Sequence, residues 1–96
     1  MRVLLTIEMD TTKGNEQIEA GRMGEVMQRL MGSLKPEAAY FHPVNGNRGM
    51  TLVVDAPDGA SLPSLAEPFW LELGARVEAV PCMKADELAE GLGRLG

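Results

Sequence analysis

The chain has 96 residues, 45% of them hydrophobic and 24% charged, which describes one globular domain (1–96) with a single core rather than a disordered segment. A formal net charge of −5 and nine scattered Lys and Arg leave no basic stripe, so neither nucleic acid nor an anionic membrane is an expected partner. The single cysteine forms no internal disulfide, and no stretch approaches the roughly 20 apolar residues of a membrane span. Val3 to Ile7 is too short for a signal-peptide core and is interrupted by Glu8 and Asp10, so the expected location is cytoplasmic.

The first element is a strand over Val3 to Met9. Val3, Leu5, Ile7 and Met9 fall on one face and Leu4, Thr6 and Glu8 on the other. Asp10 to Gly14 reads as a polar turn. A helix follows from Asn15, a suitable N-cap, to Leu34, with an apolar stripe of Ile18, Met23, Val26, Met27, Leu30, Met31 and Leu34. Gly21 and Gly24 weaken its first half by about 1 kcal/mol each relative to Ala and mark a place for a break. Lys35-Pro36 ends it, because the residue before a proline disfavours the α region.

A hairpin comes next. Its strands are Ala38 to Val44 and Arg48 to Asp55, joined at Asn45-Gly46-Asn47. Ala39, Phe41, Met50, Leu52 and Val54 are expected to face the helices, and Tyr40, His42, Thr51 and Val53 the other side. Pro43 limits pairing near its strand end and marks an edge or bulge. The second helix is expected over Leu62 to Leu73, N-capped by Ser61, with Leu62, Leu65, Ala66, Phe69, Trp70 and Leu73 apolar. Pro68 removes one of its backbone bonds, and Gly74 suits the position after its end. A last strand, Arg76 to Cys82, and a short helix, Ala85 to Leu95, complete the chain.

This order is β-α-β-β-α-β, the split βαβ arrangement, an α+β fold with a four-stranded antiparallel sheet and two helices on one face. The other face has nothing in so short a chain to cover it. A homodimer is therefore expected, with a place for a small molecule.

Lys35-Pro36-Glu37-Ala38-Ala39-Tyr40-Phe41 with its Asn45-Gly46 turn, Leu65-Ala66-Glu67-Pro68-Phe69-Trp70, and Val77-Glu78-Ala79-Val80-Pro81-Cys82-Met83 resemble a group of small bacterial proteins of unknown function. That group belongs to the ferredoxin-like dimeric α+β barrel superfamily. Its members include muconolactone isomerases, cofactor-free quinone-forming monooxygenases, haem-degrading enzymes and ligand-sensing domains. The resemblance implies sheets packed face to face about a two-fold axis and a cleft between sheet and helices in each subunit. It implies no particular reaction, because function lives in the site and not in the fold.

The mixed sheet face gathers Thr6, Glu8, Tyr40, His42, Thr51, Glu78 and Cys82. Glu8 or Glu78 as base with His42 as partner suits proton abstraction from an activated carbon, as in an isomerase or a cofactor-free monooxygenase. Tyr40, Thr6 and Trp70 would hold a small apolar or aromatic ligand. The same residues equally suit a non-catalytic dimeric module in which they line an interface and satisfy one another. His42 is the only histidine, and it has no ligand spacing with Cys82 or Glu78, so no metal or cofactor is expected. Cys82 beside His42 is a candidate nucleophile or an inert packing residue. The Met23, Met27, Met31 stripe is core or the adaptable wall of a pocket. Glu67 is an acid or base if it points into a cleft. No G-x-G-x-x-G, Walker A, C-x-x-C or H-E-x-x-H sequence is present.

Overall fold

A computed structural model describes all 96 residues. Eight elements follow one another: β1 (Arg2–Glu8), α1 (Thr11–Glu19), α2 (Met23–Leu34), β2 (Ala38–Val44), β3 (Asn47–Asp55), α3 (Ser61–Leu73), β4 (Arg76–Pro81) and α4 (Ala85–Gly93). The four strands form one sheet in the order β2-β3-β1-β4, every neighbouring pair antiparallel. The chain is thus an α+β domain. No helix is long and apolar enough to cross a membrane.

The alternation in β1 sorts its residues as expected. Val3, Leu5 and Ile7 are buried against the helices, and Leu4, Thr6 and Glu8 are half-buried on the opposite face. Met50, Leu52 and Val54 of β3, Val26 and Leu30 of α2, and Leu65, Phe69 and Leu73 of α3 complete one core. The Asn45-Gly46 turn has φ of 50° and 80°, positive at both central residues, so Val44 pairs directly with Asn47 in a two-residue hairpin.

The long helix expected over Asn15 to Leu34 is two helices. Gly21, at φ 69°, takes a left-handed conformation that breaks the axis, and the Gly21 amide bonds back to the Ile18 carbonyl. The first piece starts earlier than expected, so the segment read as a polar turn is its first turn. Asp10, not Asn15, caps it, accepting from the Lys13 amide at 3.0 Å. At α3 the capping residue also differs: Ser61 is already helical, and Asp58 accepts from its amide at 3.1 Å and its hydroxyl at 3.0 Å.

Several residues expected in the core are exposed: Ile18 (49%), Phe41 (59%), Leu62 (44%) and Trp70 (45%). Phe41 lies on the edge strand β2, and Leu62 and Trp70 of α3 stand beside Val77 and Ala79 of the other edge strand, β4. α2 and α3 cover the middle of the sheet, leaving the helix-side columns of the edge strands β2 and β4 partly bare.

α4 stands apart. Every residue from Met83 to Gly96 is exposed. The radius of gyration is 15.3 Å, against about 12–13 Å for a compact domain of this length, and the longest dimension is 56 Å. Arg2 holds the root of this arm: its Nη1 donates to Glu87 Oε1 at 2.6 Å while its Nε donates to Glu37 Oε1 at 3.0 Å.

Candidate functional site

Register arranges the uncovered sheet face in transverse rows. Ala38, Val53, Leu4 and Val80 form an apolar row. Tyr40, Thr51, Thr6 and Glu78 form the next, and His42, Gly49, Glu8 and Arg76 the one after. On the other side of the apolar row lie Arg2, Asp55 and Cys82, the Cys82 amide donating to the Arg2 carbonyl at 3.0 Å. A band of aliphatic side chains therefore crosses the face between two polar rims, and Tyr40 (68% exposed) and Val80 (50%) stand up from it.

Glu8, His42 and Glu78 are each engaged separately on this face. Glu8 accepts from Asn45 Nδ2 at 2.9 Å and from Asn47 Nδ2 at 2.8 Å, one amide on each oxygen. The Asn45 bond, then that of Asn47, and more weakly the charge of Arg76, hold this carboxyl below the usual range, so Glu8 is a carboxylate near neutral pH. His42 Nδ1 lies 2.9 Å from the Pro43 carbonyl oxygen. A carbonyl only accepts, which places a proton on Nδ1, and Nε2 lies 2.6 Å from the Thr51 hydroxyl oxygen. Glu78 pairs with Arg76 at 2.9 Å. His42 and Glu8 share a row but stand two strands apart, about 9.5 Å by strand spacing, with only Gly49 between them. Glu78 lies on the far edge strand. No base–partner hydrogen bond links the three. Nor do three or more His, Cys, Asp or Glu side chains converge on a point where a metal could sit.

Trp70 is on the opposite side of the sheet. It flanks a cleft of about 280 Å³ beneath α3, walled by Leu5, Leu62, Pro63, Ala66, Val77 and Ala79. Glu67 is the one ionisable residue on that wall. The six residues singled out from sequence thus divide: Thr6, Glu8, Tyr40, His42 and Glu78 share the open face, while Trp70 belongs to the helix-side cleft.

A second apolar hollow, about 330 Å³, opens at the β2 edge between Phe41, Pro43, Met9, Met23 and Met27, with Arg48 at its margin. Arg48 Nη1 donates to Asn15 Oδ1 at 3.0 Å and meets no carboxylate.

The amides that clamp Glu8 escaped the sequence reading because Asn45-Gly46-Asn47 signals a turn, and nothing in a turn signal says which strand its side chains will reach. Pro63 and Leu62 had a usable signal, the proline at the start of a helix facing an edge strand.

The chain matches no protein-family model and no curated protein.

Proposed function

We propose that this chain is a ferredoxin-like βαββαβ domain that works in the cytoplasm as a homodimer and binds a small apolar or aromatic molecule in the cleft beneath α3. The strand order β2-β3-β1-β4 with both halves of the helix layer on one side supports the fold assignment. The aliphatic band between polar rims on the open face has the anatomy of a protein interface, an apolar core within a wet margin, and supports the dimer. A single unpaired cysteine suits a reducing compartment.

The observation that carries the ligand is the cleft itself. It is concave and lined almost wholly by carbon, with one carboxylate and one half-exposed indole at its wall, the pattern of a small-molecule site. Its volume suits a one- or two-ring molecule. Acid–base chemistry there, of the isomerase or cofactor-free monooxygenase kind, would run through Glu67, which would take a proton from a carbon held against Trp70. Glu8, His42 and Glu78 lie across the sheet and serve the dimer face in this reading.

Trp70 is the sole tryptophan, so its emission reports the cleft alone. Titration with 2-naphthol is expected to quench Trp70 emission saturably in the wild type. Ala66→Trp, which fills the cleft, is expected to abolish binding, measured by calorimetry. Unchanged binding in the filled variant would overturn the assignment.

A further inference from the structure

We infer that the cleft beneath α3 takes a protonated amine with an aromatic or apolar body, its ammonium group held between the Glu67 carboxylate and the Trp70 indole. The inference names the ligand class of the cleft proposed above and rests on that reading.

The cleft exists because Ala66 of α3 and Ala79 of β4 are small where the helix passes over the edge strand. Leu5, Leu62 and Val77 wall it with carbon, which suits the body of a ligand and offers its head no hydrogen bond. Pro63, Glu67 and Trp70 follow one another at i, i+4 and i+7, so they form one stripe along the helix side of the cleft. Glu67 and Trp70 are three residues apart, a spacing that sets their Cβ atoms about 5–6 Å from each other. One nitrogen can therefore lie about 2.8 Å from a carboxylate oxygen and within about 6 Å of the ring.

Charge selects the ligand class. No Lys, Arg or His lines the cleft, and α3 contains none. The two carboxylates of α3 differ: Glu72 is paired with Arg29, whereas Glu67 makes no ion pair and no hydrogen bond. Arg76, the one cation of β4, is paired with Glu78 on the opposite face of the sheet. An anionic ligand would set a second negative charge against Glu67 with nothing to offset it. A neutral ring would strip water from that carboxylate and give it no partner. An ammonium group pairs with the carboxylate and is attracted to the indole face as well. Bound in this way, Glu67 is an anchor and not a base, so this ligand class favours binding over proton abstraction.

The test compares two probes of nearly the same shape by calorimetry at about pH 7. One is 2-naphthylmethylamine, protonated there as alkylamines are, and the other is neutral 2-naphthalenemethanol. The amine is expected to bind the wild type about tenfold more tightly. Glu67→Gln is expected to bring the ratio of the two dissociation constants near to one. In the wild type, raising the salt from about 0.05 to about 0.5 M is expected to narrow that ratio. Ala66→Trp is expected to abolish binding of the amine. Equal binding of the two probes to the wild type would overturn the amine class and leave the cleft reading standing. So would a preference for the amine that neither Glu67→Gln nor salt reduces. Undiminished amine binding in Ala66→Trp would place the amine on the acidic surface outside the cleft and overturn the inference. Failure of both probes to bind would remove the cleft reading itself.

Discussion

One strand, β1, shows both faces of this molecule. Val3, Leu5 and Ile7 are at most 3% exposed beneath the helices, while Leu4, Thr6 and Glu8, interleaved with them, are half-exposed on the other side. The covered face contains only apolar side chains and its energy is that of packing. The uncovered face mixes an aliphatic band with hydrogen-bonded polar groups. That mixture is what a surface needs if it is to be wet in one state and buried in another, since Glu8, His42, Thr51 and Glu78 bring their own partners with them. Stability of the single domain should therefore depend on the first face and association on the second.

The largest expected effect breaks the covered face. Phe69 is fully buried among β1, β3 and α3, and Phe69→Ala is expected to cost about 3–5 kcal/mol, read from urea unfolding. A loss below about 1 kcal/mol would mean that the core is not organised around α3. On the uncovered face, Val53→Glu puts a charge into the aliphatic band. It is expected to weaken the proposed dimer by about a hundredfold in sedimentation velocity while the unfolding of the dissociated chain stays nearly unchanged, because Val53 is already half-exposed there. An equal loss of domain stability would erase the distinction between the faces.

The smallest effect concerns Glu8. Its carboxyl titrates below its ordinary value of 4.5 because Asn45 and Asn47 bond the charged form. A lowered folded-state value gives stability that is present above the unfolded value and lost as pH falls through the folded one. Wild type is thus expected to exceed Glu8→Gln in unfolding midpoint at pH 6, with the gap closing towards pH 3. A gap that widened in acid would reverse the sign and with it the role of the two amides.

Sheet and core were legible in the sequence because their signal is local. The period of two in β1 and β3 named the buried residues, and Asn45-Gly46 named the hairpin register. The helix layer was less legible. Gly21 and Gly24 marked a place for a break, but which of them takes the left-handed conformation, and that the chain divides there into two helices, is not written in the residue types. Phe41 and Trp70 have the right spacing for the core, yet coverage depends on how far two helices extend over four strands, which no local pattern encodes. The candidate site was legible as a set of residue types but not as a geometry. Alternation put Glu8, His42 and Glu78 on one face, whereas strand order, a non-local property, set them on β1, β2 and β4, two or three strands apart. Glu67 and Trp70 drew attention only as neighbours of Pro68 in a helix, and that β4 would lie against them was not part of that signal.

Sedimentation equilibrium of the wild-type chain at micromolar concentration tests most directly whether the uncovered face exists to meet a second copy. A fitted mass of twice 10.4 kDa, falling to the chain mass in Val53→Glu, is the predicted result. A wild-type mass of a single chain at every concentration would contradict the dimer and the reading of the open face that rests on it.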